Sequence, residues 1–159
     1  MFGKEGYPKM RKASRDDGTV DRVETDFNGD GRVDMIQYFD PTGNWVSKES
    51  ADLDGNGKME ILSYYKKTVG NPRGEVVLQE IDTQASGKPD LWKHFKNGKL
   101  TKRELDRKGR GVPDYWEYYD EQSGRLARIE KDENGDGLAD SQPVFKQVIK
   151  PEGTEPGKP

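Results

Sequence analysis

Asp26-Phe27-Asn28-Gly29-Asp30-Gly31-Arg32-Val33-Asp34-Met35-Ile36-Gln37-Tyr38-Phe39 places a nine-residue acidic, glycine-marked segment directly before an alternating apolar and aromatic run. The segment returns at Asp52, Asp82, Asp106 and Asp132, at spacings of 26, 30, 24 and 26 residues. The run returns with it, as Ile61-Leu62-Ser63-Tyr64-Tyr65, Leu91-Trp92-Lys93-His94-Phe95 and Tyr115-Trp116-Glu117-Tyr118-Tyr119. Alternation of this kind, rich in aromatic and β-branched residues, predicts a strand. Gly18, Gly43, Gly74, Gly98 and Gly124 mark turns, and six residues after each stands a glutamate: Glu24, Glu49, Glu80, Glu104 and Glu130. Second strands lie between, as in Leu100-Thr101-Lys102-Arg103 and Leu126-Ala127-Arg128-Ile129. One unit of about 26 residues is therefore a β-hairpin, joined to the next by an acidic loop.

A lone hairpin is marginal in water, so such units must pair edge to edge or stack. The expected fold is all-β: tandem β-hairpin repeats forming an elongated antiparallel sheet or solenoid, with acidic loops between hairpins. Phe39, Tyr65, Phe95, Tyr119 and Phe145 are expected to form a buried aromatic ladder along it. Units start near residues 1, 26, 52, 82, 106 and 132, within a single domain spanning 1–145. The copy at Met1 rests on Gly6 in the place of Gly31, and its Met1, Gly3 and Lys9 offer no ligands. Pro143 marks the last strand as an edge, and residues 146–159 read as a flexible tail. The insertion from Lys66 to Arg73 predicts a longer turn in the third unit.

Of 159 residues, 30% are hydrophobic and 36% charged, too little apolar material for a thick core. The 7 Tyr, 5 Phe and 3 Trp nevertheless recur at fixed places, which argues against disorder. A formal charge of -3, with Lys and Arg interleaved among acids, gives no field for nucleic acid. Cysteine is absent, so there are no disulfides, and no apolar run reaches membrane-spanning length. Met1-Phe2-Gly3-Lys4 has no apolar leader segment, so export would require a leader removed ahead of Met1. With one histidine and no cysteine, nucleophile and base constellations lack members, and no enzyme is expected. His94 occupies the place of Tyr38, Tyr64 and Tyr118 and reads as a ladder residue.

Calcium takes six to eight hard oxygens in flexible geometry, and acids on alternate positions of a tight loop deliver them to one point. In the first loop, Asp26, Asn28, Asp30 and Asp34 supply side-chain oxygens, Arg32 a backbone carbonyl, and Gly31 the bend. The second set is Asp52, Asp54, Asn56 and Glu60 with the Lys58 carbonyl. The third is Asp132, Asn134, Asp136 and Asp140 with the Leu138 carbonyl. Asp82, Gln84, Ser86 and Asp90 make a weaker set with only two acids. The alternative is that Asn-Gly-Asp-Gly is simply a good turn. Turn chemistry alone, however, does not require acids at positions one, three or five and nine together. Loop 106–114 keeps Asp106 and Asp114 but has Lys108 and Arg110 at the ligand positions. It is expected to be metal-free, with Arg110 or Lys108 either bridging its two acids or pointing into solvent.

These loops resemble the D-x-[DN]-x-[DN]-G-x-x-[DE] calcium loops of dockerin, thrombospondin type 3 and FG-GAP repeats. They are not EF-hands: the twelfth position holds Gln37, Ser63 or Pro143, and no flanking helices are read. The hairpin Trp116-Glu117-Tyr118-Tyr119 with Gly124-Arg125-Leu126 is similar to bacterial MORN-type repeats. Together the resemblance implies secreted or lipid-anchored repeat tracts of Gram-negative bacteria. The expected function is a non-enzymatic, calcium-binding extracytoplasmic module acting as a structural or adhesive spacer. The alternative is a module that binds a glycan or partner protein. It would use exposed Trp45, Trp92 and Trp116, or the basic residues Lys93, Lys96, Lys99, Lys102, Arg103, Arg107, Lys108 and Arg110. Fully packed tryptophans would favour the spacer.

Overall fold

The computed structural model describes residues 9–140 and 144–145, with Pro72, Val144 and Phe145 described by their backbone alone. The first six strands are β1 (Lys9–Ser14), β2 (Val20–Asp26), β3 (Met35–Phe39), β4 (Val46–Ala51), β5 (Ile61–Thr68) and β6 (Asn71–Ile81). Then follow β7 (Leu91–Lys96), β8 (Lys99–Leu105), β9 (Tyr115–Tyr119), β10 (Leu126–Lys131) and β11 (Val144–Phe145). They form one antiparallel sheet in chain order, with β1 and β11 at its edges. The tandem-hairpin fold read from the repeats is thus the fold of the protein, in its open form. The copy at Met1, Pro143 and the tail fall outside the described residues.

Strand direction alternates, so the five acidic loops all leave from one end of the sheet and the hairpin turns from the other. Successive acidic loops lie two strands apart, about 10 Å. Register fixes which side chains share a face. On one face Ile36 lies opposite Glu24 and Ser50, Trp92 opposite Glu80 and Glu104, and Trp116 opposite Glu104 and Glu130. The polar tips of this row are tied down: Tyr64 donates its hydroxyl to Glu80 (3.2 Å), Tyr118 to Glu130 (3.0 Å), and Trp116 Nε1 to Glu104 (3.2 Å). His94 contacts Glu104 through Nε2, a ladder position as expected. Burial pushes the Glu104 carboxyl up, but hydrogen bonds from Lys102 and His94 outweigh it and hold it below the usual range.

The other face carries Phe39, Tyr65, Phe95 and Tyr119, the expected ladder, but half-buried rather than buried. Among the described residues the buried apolar side chains are Val46, Ile81 and Leu91. A single sheet has no second layer to cover either face, so aromatics shield the backbone bonds from the side instead of filling a core.

A bulge immediately precedes each member of that row, between Tyr38 and Phe39, Tyr64 and Tyr65, His94 and Phe95, and Tyr118 and Tyr119. Hydroxyls on the paired strands satisfy the disturbed carbonyls: Ser47 donates to Tyr38 O and Thr101 to His94 O, both at 3.2 Å. The turns themselves differ. Asn97 and Gly98 both have positive φ, the two-residue turn that suits strand twist. In the six-residue connection 40–45, Asp40 accepts hydrogen bonds from Thr42, Asn44 and Trp45. Burial alone would raise its carboxyl, yet these bonds hold it at about 2.

One position breaks the periodic pattern, and one sequence expectation is corrected. Glu49 does not share the face of the other periodic glutamates, because Gly43 sits one residue earlier in its turn than Gly124 does. Ser50 takes the glutamate position opposite Ile36, and Glu49 lies on the other face opposite Gln37 and Ser63. The insertion Lys66 to Arg73 is not a longer turn but a longer ribbon. It extends β5 and β6 to a tight reversal in which Thr68 pairs with Asn71 around Val69-Gly70. Pairing satisfies the inserted backbone, and it carries Arg73 to Glu49 (2.6 Å), which also accepts from Gln37 (3.0 Å).

Candidate metal centre

In all five acidic loops the first carboxylate closes the turn by accepting two backbone N–H groups. Asp26 takes those of Gly29 (2.5 Å) and Gly31 (3.0 Å), and Asp52 those of Gly55 (2.8 Å) and Gly57 (2.7 Å). Asp82 takes Ser86 (3.0 Å) and Gly87 (2.5 Å), Asp106 takes Arg110 (3.0 Å) and Gly111 (2.5 Å), and Asp132 takes Gly135 (2.5 Å) and Gly137 (2.9 Å). Burial pushes the carboxyls of Asp52, Asp82, Asp106 and Asp132 upward, but these N–H donors prevail and keep each below the ordinary carboxylate range. The ninth carboxylate reaches back to the second N–H: Asp34 to Phe27, Glu60 to Leu53, Asp90 to Thr83, Asp114 to Arg107 and Asp140 to Glu133.

Neighbouring loops are tied through the backbone as well. The N–H of Asp52 donates to Asp34 O, that of Asp82 to Glu60 O, that of Asp106 to Asp90 O and that of Asp132 to Asp114 O, at 2.8–3.0 Å. The loops form a stack, each resting on the one before.

Loops 82–90 and 106–114, whose third and fifth positions hold Gln84 and Ser86 or Lys108 and Arg110, close on the same two carboxylates, although their first aspartate takes the fifth N–H (Ser86, Arg110) where the other three loops give the fourth (Gly29, Gly55, Gly135). They therefore close without acids at those positions. In loops 26–34, 52–60 and 132–140 the extra groups do make local turns, since Asn28, Asp30, Asp54, Asn56, Asn134 and Asp136 each accept the N–H two residues on. Each such oxygen keeps a second lone pair.

Among the described residues, one acidic group converges closely enough to hold a metal: one oxygen each from Asp52, Asp54 and Glu60, all within 4.8 Å of one another. Asp52 is buried and Asp54 exposed, so the triad opens to solvent on one side. The Lys58 side chain turns away from it, toward Ala85 O of the next loop (3.5 Å), and Asn56 donates its amide to Glu60 (3.4 Å), so the Asn56 side-chain oxygen and the Lys58 carbonyl are the remaining predicted donors. The acids of the other two predicted sets are not gathered this closely. Asn28 instead donates its amide to Asp30 (3.3 Å), and Asn134 spans Asp136 (3.2 Å) and Asp140 (2.5 Å). Arg32 likewise sends its side chain to Gly55 O of the following loop (2.8 Å). In the weaker set, Gln84 and Ser86 act as donors to Asp90 and Asp82, so the acids are satisfied from within.

Loop 106–114 departs from both sequence readings. Arg107, not Lys108 or Arg110, pairs with Asp114, through Nε at 3.1 Å. Lys108 donates to the carbonyls of Asp132 (3.0 Å) and Glu133 (3.1 Å), and Arg110 to Gly135 O (2.9 Å) and Asp132 Oδ2 (3.1 Å). The stack brings the next loop within reach, and the buried oxygens there offer more than solvent does. Sequence reasoning looked for partners inside the loop, and no spacing rule points across 22 residues. The expected basic face is also largely spent internally: Lys96 pairs with Glu121, Lys102 with Glu104 and Arg103 with Glu117.

Fold and loops together define a tandem β-hairpin sheet with a stack of acidic turns along one end. No family model matches the chain, and no curated protein matches it either.

Proposed function

We propose that this chain is a calcium-binding, non-enzymatic repeat module, a structural or adhesive spacer whose loops 26–34, 52–60 and 132–140 are the binding positions. One observation carries the reading. Loops 82–90 and 106–114 close without acids at positions three and five, so the local turns made there by Asp30, Asp54 and Asp136 do not require a third negative charge, and the three carboxylates of each set repel one another unless a cation is shared. The convergence of Asp52, Asp54 and Glu60 supports loop 52–60 as the best-formed site. Oxygen-only donors and a rim open to solvent at Asp54 favour calcium over magnesium, which demands near-ideal octahedral geometry. Without a bidentate twelfth-position glutamate the expected affinity is that of extracellular modules, about 10⁻⁴ to 10⁻³ M, which supports an extracytoplasmic location. Trp45, Trp92 and Trp116 are half-buried, neither fully packed nor fully exposed. The spacer reading over a glycan-binding one is supported by the Trp116 indole N–H, committed to Glu104, and by tyrosine hydroxyls committed to Glu80 and Glu130.

Glu60→Gln tests the site. The glutamine oxygen still accepts the Leu53 N–H, so the turn survives while one carboxylate is lost. Calorimetric titration with calcium is expected to show one site fewer than the parent chain. No calcium uptake by the parent, or an unchanged number of sites in Glu60→Gln, would contradict the proposal.

A further inference from the structure

Loop 132–140 carries the same acids as its relatives, yet its electrostatic setting differs. The Asp132 side chain has no exposed surface, and the Arg110 guanidinium, 32% exposed, stands 3.1 Å from its Oδ2. A second Arg110 nitrogen donates to Gly135 O at 2.9 Å. The fit depends on a glycine at position 135, because a Cβ there would lie 2.5 Å from Arg110 Nη1. The equivalent Gly55 has nothing within 4 Å of where its Cβ would be. Lys108 adds a second positive group through its bonds to the Asp132 and Glu133 carbonyls. By contrast, among the described residues no ion pair involves Asp52, Asp54 or Glu60.

We propose that Arg110 is a tethered cation for loop 132–140, seated on the carboxylate oxygen a metal ion would use, and that it sets this loop apart as the low-affinity member of the array. This rests on the calcium reading above. The degenerate loop 106–114 then has a role: having lost its own ligands, it supplies the counter-charge of its neighbour. A calcium ion entering loop 132–140 must displace the guanidinium from Asp132 and meet its charge nearby, whereas at loop 52–60 the Arg32 guanidinium holds only the equivalent carbonyl, Gly55 O, and pairs with none of the three carboxylates. The array answers calcium in two steps instead of one.

The test follows each loop separately in the full chain, titrating calcium alone and reading the amide resonances of Gly31, Gly57 and Gly137, each the N–H that its loop's first aspartate accepts. In the parent, Gly137 is expected to shift at a calcium concentration about tenfold above Gly57. Arg110→Gln is expected to lower the Gly137 midpoint toward that of Gly57 and leave Gly57 unmoved. Arg110→Lys, which keeps the charge, is expected to preserve most of the gap, a result that a merely structural role for the side chain would not give. If Gly57 titrates but Gly137 keeps one midpoint in the parent and in Arg110→Gln, the tethered-cation proposal is overturned and the calcium reading stands. If none of the three resonances responds, both fall together.

Discussion

Thermal unfolding in about 10 mM calcium is expected to occur on the order of 10 °C above unfolding in excess chelator. The size follows from linkage. Ligands gathered only in the folded loops make binding free energy into folding free energy. At dissociation constants of about 10⁻⁴ to 10⁻³ M, two well-filled loops contribute roughly 3–5 kcal/mol together. The effect is large for this chain because so little apolar surface is buried; the acidic end of the sheet has little besides its turns to hold it. Magnesium at the same concentration is expected to give a much smaller rise. Identical melting in calcium and in chelator would mean that the acids serve the turns alone.

A second large effect is expected from Gly74→Ala, at the base of the extended β5–β6 ribbon. Gly74 has φ +73, and a Cβ there would sit 2.5 Å from the backbone oxygen of Lys66 and 3.2 Å from its carbonyl carbon. Both atoms belong to a paired strand, so neither can withdraw without breaking the ladder. Left-handed strain of about 1–3 kcal/mol adds to overpacking of similar size, giving a loss of roughly 2–5 kcal/mol. Gly70→Ala is the control, since φ is +80 there but nothing lies within 4 Å. Its cost is expected to be strain alone. Urea unfolding midpoints separate the two, and equal midpoints would show that the close approach at Gly74 carries no energy.

The fold was legible because a period of loops and alternating runs leaves one economical arrangement, and Asp26, Asp52, Asp82, Asp106 and Asp132 mark its phase. What escaped was whatever a one-residue slip controls. Glu49 keeps its spacing from Gly43, but register is set by the strand pairing, and because Gly43 comes one residue earlier in a six-residue turn than Gly124 does, Glu49 falls on the opposite face beside Gln37. The Lys66–Arg73 segment contains Gly70-Asn71-Pro72 and looked like a loop by composition, whereas pairing with its own partner strand satisfied its backbone more completely. The loops were legible as acidic turns of one design, and which oxygens converge was not. Loop 52–60, where Asp52, Asp54 and Glu60 meet, carries its middle acid at position three and a glutamate at nine, whereas loops 26–34 and 132–140 carry theirs at position five with an aspartate at nine. The Arg110–Asp132 pair was hidden because it runs between stacked loops, a contact that exists only once the sheet is built.

The most direct measurement is a crystal structure of the full chain grown with calcium, using the ion's anomalous scattering to locate it. The account predicts a peak in loop 52–60, with oxygens of Asp52, Asp54 and Glu60 and the Lys58 carbonyl at about 2.3–2.6 Å. It predicts none in loop 106–114. A calcium-saturated crystal with no peak at loop 52–60 would contradict it.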